Sequence, residues 1–158
     1  MWKYGLEPII THDTEILILG SLPSDESIKQ QRYYAKPNND FWKLIGETIG
    51  KNLIGIDYKE KCRILTENKI GLWDVFHKCE RAGSLDSDIK GGELNDFSRI
   101  KAAAPNIKLV CFNGKTAGES EKHFIEKGYK TKVLPSSSGA NRINSEARLQ
   151  EWKSIICR

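Results

Sequence analysis

A short apolar run that stops abruptly constrains this chain more than any other feature. Ile16-Leu17-Ile18-Leu19 is rich in strand formers and long enough for one buried strand. It breaks at Gly20-Ser21-Leu22-Pro23-Ser24, where proline cannot extend the ladder and glycine lets backbone approach a ligand closely. Ligands of an open α/β sheet bind at the carboxyl ends of its strands, so this turn is the first candidate site. Further on, Tyr33-Tyr34-Ala35-Lys36-Pro37-Asn38-Asn39-Asp40-Phe41-Trp42 mixes aromatic faces, amides and one cation ahead of a helical pattern. Such a cluster suits a pocket that stacks a planar ring.

The rest of the chain alternates. Apolar runs predict strands over 15–20, 70–76, 108–112 and 131–134. A helix starts at Ser24, which can cap it, with Asp25 and Glu26 well placed in the first turn. Phe41, Leu44, Ile45 and Ile49 have helical spacing, and Gly50 supplies a stop. Further helices are expected over 58–68, 93–104 (closed by Pro105), 116–127 (followed by Gly128) and 145–156. In the last, Leu149, Trp152 and Ile156 share a face. Residues 80–87 read as a polar loop, and Gly91-Gly92 as a break.

No repeat, low-complexity tract or linker divides the chain, so residues 1–158 are expected to form one domain. That length buries roughly two thirds of the unfolded surface. Strands separated by helices imply a three-layer α/β/α sandwich around a central, mainly parallel four-stranded sheet. Periodicity leaves the strand order open. Parallel strands would gather the loops at 20–24, 74–77, 113–115 and 136–142 on one edge, where they can line one crevice.

Composition narrows the function classes. Apolar stretches of about five residues cannot span a bilayer, and Met1-Trp2-Lys3-Tyr4-Gly5 lacks the apolar core of a signal peptide. A monomer in the reducing cytoplasm is therefore expected. A net charge of +4 is compatible with a polyanion partner without demanding one. Cys62, Cys79, Cys111 and Cys157 are widely spaced, and Cys111 sits inside Leu109-Val110-Cys111-Phe112 as a small buried hydrophobe. His12, His77 and His123 lack ligand spacing. No metal, cofactor or disulfide framework is expected.

The motifs now carry a resemblance. Gly20-Ser21-Leu22-Pro23-Ser24, the segment from Tyr34 to Phe41-Trp42, and Leu134-Pro135-Ser136-Ser137-Ser138-Gly139-Ala140-Asn141-Arg142 resemble three motifs of the uracil-DNA glycosylase superfamily. The chain is most similar to its hypoxanthine-DNA (deoxyinosine) glycosylase branch. That branch has Gly-Ser-x-Pro-Ser, Tyr-Tyr-Ala, Leu-Trp-Asp, Arg-x-Gly-Ser-Leu-Asp and Phe-Asn-Gly, present here from Gly20, Tyr33, Leu72, Arg81 and Phe112. Any one motif is weak; five in order span nearly the whole chain.

The departures bear on chemistry. Where mismatch-specific uracil and thymine enzymes carry a water-orienting Asn, this chain has Leu22. Other uracil enzymes place Asp in that turn and His in the last loop, where Ser136 stands. The resemblance therefore assigns catalysis to Asn39, in the second segment.

Cleaving an N-glycosidic bond builds positive charge on the sugar and negative charge on the base. It needs a held water and donors aimed at the departing base. A carboxamide offers both an acceptor and donors. Asn39 can alternatively cap the helix that follows it. Tyr34 is expected to stack on the extruded base, an interaction worth roughly 1–3 kcal/mol, whereas Tyr33, Phe41 and Trp42 read as packing. Asp74 and Asn113 either read the base edge or close their own turns. Gly20, Ser21 and Leu22 complete the base pocket.

The resemblance places Ser136, Ser138, Gly139, Ala140, Asn141 and Arg142 on DNA. The serines would meet phosphate oxygens, Gly139 would permit close approach, and Asn141 or Arg142 would fill the gap left by the flipped base. A solvated serine-rich turn is the plainer alternative. Lys36 and Lys115 are further phosphate candidates. The implied activity is a monofunctional DNA base glycosylase acting on hypoxanthine, with no lysine singled out for strand cleavage. A uracil-preferring enzyme, or a non-catalytic nucleotide- or nucleic-acid-binding α/β domain, are the rival readings.

Overall fold

The computed structural model describes residues 2–80, 90–142 and 144–156. In chain order the elements begin β1 (Trp2–Tyr4), β2 (Ile16–Gly20), α1 (Asp25–Gln30), α2 (Phe41–Ile49), α3 (Tyr58–Glu67), β3 (Ile70–Asp74) and β4 (Phe76–Glu80). They continue with β5 (Lys90–Leu94), α4 (Ser98–Ala103), β6 (Leu109–Asn113), α5 (Lys115–Gly118), α6 (Glu121–Glu126), β7 (Lys130–Leu134) and α7 (Ser145–Lys153).

Four strands form one parallel sheet in the order β3-β2-β6-β7. All five residues of β2 are buried, as an interior strand covered on both faces requires. Alternation sorts its side chains. Ile16 and Ile18 pack with Phe41, Leu44, Ile45, Leu65 and Trp152, which come from α2, α3 and α7. Leu17 and Leu19 pack with Trp73, Ile100, Phe112 and Phe124, so α4 and α6 cover the opposite face. The three-layer sandwich is thus present. Ser24 caps α1 by accepting from Ser27 N at 3.2 Å, and Gly50, at φ +74°, ends α2 as expected. Buried Cys111 has its thiol pushed up to about 12 by desolvation. No helix among the described residues is long and apolar enough to cross a membrane.

The structure departs from expectation in three places. The run 70–76 is two strands, because Val75 N donates to Gly20 O at 2.7 Å and Phe76 N to Ser21 O at 3.0 Å. Those bonds draw the chain off the parallel ladder and into a second, antiparallel sheet of order β1-β4-β5. The expected helix over 93–104 is shortened to α4 because β5 takes its first residues. Gly92 there lies against Phe76, where a Cβ would come within 2.4 Å of the ring. The expected helix over 116–127 is broken into α5 and α6. The motif beginning at Arg81 and most of the loop at 80–87 lie outside the described residues.

Trp152 is the largest link between α7 and the core. It is fully buried, meets Phe41 edge-on at 5.8 Å and donates from Nε1 to Pro135 O at 2.8 Å. Trp152→Ala should lower unfolding free energy by about 3–5 kcal/mol in urea titrations, the usual loss for a buried aromatic truncation. A midpoint within error of the parent's would contradict this packing.

Candidate active site

The carboxyl ends of β2, β3, β6 and β7 meet at a cavity of about 360 Å³. Its wall includes Gly20, Ser21 and Leu22 of the first turn, Tyr34 and Asn39, Asp74 and Asn113, and residues 136–141. The strand-end crevice anticipated from the alternation therefore exists, and its wall includes every expected site residue except Lys115 and Arg142.

Gly20 makes the floor possible. A Cβ there would fall 2.6 Å from Asp74 Oδ1 and 3.0 Å from the Tyr34 hydroxyl. Asp74 closes β3 and is buried, and its backbone carbonyl accepts from Asn95 Nδ2 at 2.7 Å. Leu22 is buried too. Tyr34 adopts φ +54°, a left-handed conformation uncommon for a bulky residue and one that concentrates at functional sites. One face of its ring stacks on Phe41, centroids 4.0 Å apart at 14°. Its hydroxyl accepts from Asn113 Nδ2 at 3.2 Å. Tyr33 is buried and donates to Glu7 O at 2.8 Å, a packing residue.

The orientation of Asn39 follows from an unambiguous donor. Phe41 N–H lies 2.9 Å from Asn39 Oδ1, and a backbone amide can only donate, so the oxygen faces α2. The Ser137 hydroxyl donates to the same oxygen at 2.8 Å. Asn39 thus serves the first turn of α2 and lines the cavity at once. Its oxygen, the expected holder of water, is already doubly occupied. No described residue accepts from its Nδ2, which makes that NH2 the group available to a ligand.

Asn113 is used up internally. Its oxygen accepts from Ser137 N at 2.9 Å, and its Nδ2 donates to Ser137 Oγ at 2.8 Å as well as to Tyr34. It ties Tyr34 to the last loop.

The last loop is held by its own carbonyls. Buried Arg148 donates to the carbonyls of Asn141 at 2.8 Å, Ser136 at 3.3 Å and Ser138 at 3.4 Å, and pairs with Asp40 at 2.6 Å. Ser138 N and Ala140 N donate to the hydroxyls of Ser136 and Ser138 at 3.1 and 3.2 Å. Each hydroxyl accepts in these bonds, so its own proton is not used in them. Gly139 passes so near Asn38 that a Cβ would lie 2.3 Å from its carbonyl.

The two expected gap fillers are tied down. Asn141 donates from Nδ2 to Ser136 O at 3.0 Å, and Arg142 forks onto Asp40 at 2.8 and 2.9 Å while reaching Asn38 O at 3.0 Å. Ala140 is left exposed at the loop tip. Lys36 lines the cavity, and Lys115 stands exposed at the start of α5.

Sequence reasoning passed over Ser137, Asp40 and Arg148. Three consecutive serines look alike in sequence, and only the Asn39-Asp40 adjacency hinted that the second residue is structural.

Arg142, opposed by burial and helped by Arg148, holds the Asp40 carboxyl at about 2, below its ordinary 3.8. Because the folded value is the lower one, the pair stabilises the fold above about pH 4 and loses that contribution as pH falls toward 2. Asp40→Asn should therefore be less stable than the parent at pH 6, with the gap closing between pH 4 and 2 in thermal melts. A pH-independent gap would contradict the pairing.

With this geometry in view, the likeness to known proteins is informative. A family model for the uracil DNA glycosylase superfamily matches residues 8–157. A hypoxanthine DNA glycosylase of Methanosarcina acetivorans is 54% identical over 156 residues, covering 99% of both chains. That of Methanosarcina barkeri is 52% identical over 152 residues, 96% of each. The solution NMR structure of a Methanosarcina acetivorans protein described as a uracil DNA glycosylase superposes with a TM-score of 0.90, at 54% identity over 98% of this chain and 96% of that one. The chain belongs to the uracil DNA glycosylase superfamily.

Proposed function

We propose that this protein is a monofunctional DNA glycosylase that flips hypoxanthine out of DNA, hydrolyses its N-glycosidic bond and leaves an abasic site. It does so as a single catalytic domain, a monomer, in the cytoplasm. The observation that carries this reading is the Asn39 carboxamide, oriented by Phe41 and Ser137 at a cavity walled by Tyr34. The relatives named hypoxanthine DNA glycosylases support the choice of base.

The chemistry follows from the groups present. The extruded base enters the strand-end cavity along the Tyr34 ring, whose second side is braced by Phe41. Stacking there offsets part of the loss from leaving the duplex. Asp74 accepts the N–H of the base edge. Asn39 donates from Nδ2 to a water beneath the sugar, which fixes the water's oxygen and leaves it a lone pair for the anomeric carbon. As the C–N bond breaks, its electron pair leaves with the base and the water oxygen bonds to the oxocarbenium-like sugar. The proton that the water sheds passes to solvent or to the departing base anion, so no strong base is needed. The hydroxyls of Ser136 and Ser138 donate to flanking phosphates, and the loop tip at Ala140 lies against the opened step.

Uracil presents the same N–H beside a carbonyl, and the relative of known solution structure carries the description uracil DNA glycosylase. Leu22 argues against it as the preferred base, since this turn lacks the amide or acid that the uracil enzymes place there.

Duplexes carrying deoxyinosine, deoxyuridine or deoxyxanthosine, incubated with the protein and treated with alkali, should break fastest at deoxyinosine. No break above background at deoxyinosine would reduce the protein to a binding module or a uracil enzyme. Asn39→Ala should slow release at least about 10²-fold, the scale for losing one aligned donor. Asn39→Asp keeps an oxygen for Phe41 and Ser137 but removes the NH2. It should stay folded and lose activity comparably, whereas near-parental turnover would show that the acceptor does the work.

A further inference from the structure

Resting on that reading, we propose that Ser137 is the positioning residue of the reaction: its hydroxyl locks the Asn39 carboxamide with the NH2 presented to substrate. The direction of each bond can be derived. Ser137 N–H must donate, so the atom of Asn113 that it meets at 2.9 Å is the oxygen. The other end of that amide is then an NH2, which donates to Ser137 Oγ at 2.8 Å. Ser137 has one hydroxyl proton, and the acceptor remaining within reach is Asn39 Oδ1 at 2.8 Å. Phe41 N–H independently demands an oxygen at that position. Two backbone amides therefore fix two side-chain amides, with one serine proton between them.

The consequence is twofold. With both lone pairs of Oδ1 engaged, rotation of the Asn39 amide would set an NH2 against two donors, so its orientation is single-valued. Bonds to the oxygen also polarise the amide and strengthen donation from its NH2, since chained hydrogen bonds reinforce one another. Ser137 borders the cavity but is almost wholly buried, with its hydroxyl engaged by Asn39 and Asn113. It acts through Asn39, unlike Ser136 and Ser138 beside it. The sequence carries three adjacent serines, and the fold divides them between two tasks.

Single-turnover release of hypoxanthine separates this role from loop stability or DNA affinity. Ser137→Ala should lower the rate about 10- to 100-fold while the half-saturating enzyme concentration moves less than threefold. In an Asn39→Ala background the same change should cost nothing further, since its effect passes through that amide. Ser137→Thr, which keeps the hydroxyl, should recover rate if folded. In nitrogen-edited NMR of the free protein, Ser137→Ala should shift the Asn39 side-chain NH2 pair and leave surface asparagines such as Asn52 in place.

A parent protein that releases no base overturns the functional reading and this role with it. A parent that does release base, paired with Ser137→Ala at full rate, with losses that multiply in the double variant, or with an unmoved Asn39 pair, overturns the role of Ser137 alone.

Discussion

Two backbone N–H groups, those of Phe41 and Ser137, are the constraint on which the rest of the site depends. Each can only donate, and each meets an asparagine oxygen at 2.9 Å. From these two facts the orientation of Asn39 and Asn113, and the direction of the serine proton between them, follow without further assumption. The circuit closes through rings. Phe41, whose amide faces Asn39, stacks on Tyr34, whose hydroxyl accepts from Asn113. The face that would receive the base and the amide that would face the sugar are thus parts of one framework. Preorganisation of this kind matters because a donor already in place needs no reorganisation when charge develops.

A second framework holds the last loop to the start of α2. Arg148 is buried and pairs with Asp40, a geometry that repays desolvation only when the remaining donors are satisfied. Loop carbonyls take up Nη1 and Asp40 takes Nη2, while Nε has no hydrogen-bond partner among the described residues. Asp40 also donates its backbone N–H to Ser137 O at 2.8 Å, so the loop and the residue after Asn39 are joined twice. Asn39 and the last loop therefore sit on one hydrogen-bonded seam. Arg142, which the resemblance placed on DNA, is bonded into this seam through Asp40.

How much of this was legible in the sequence depends on the physics of each element. The parallel sheet was readable because Ile16–Leu19 and Leu109–Phe112 are apolar without interruption, which only a doubly covered strand requires. The strand-end loops followed from Gly20, Pro135 and the polar residues beside them. The second sheet was hidden: β1 has three residues, too few for a readable alternation, and β5 carries two glycines, which read as a break. Its cause is the pair of hydrogen bonds from Val75 and Phe76 to the first turn, a tertiary event with no local signature. Asn39 and Tyr34, which line the cavity, were singled out through motif likeness. Ser137 was missed because burial, not residue type, separates it from its neighbours, and Arg148 because only the packing of α7 aims it at the loop.

The central claim is that the NH2 of Asn39 faces a water under the sugar while the base lies against Tyr34. A crystal structure with DNA carrying a hydrolysis-resistant 2′-fluoro analogue of deoxyinosine addresses it most directly. The account predicts the purine in the strand-end cavity, its ring over Tyr34, and an ordered water within hydrogen-bond distance of Asn39 Nδ2 on the far side of the anomeric carbon from the base. A base bound elsewhere, or an Asn39 amide that stays remote from the sugar, would contradict it.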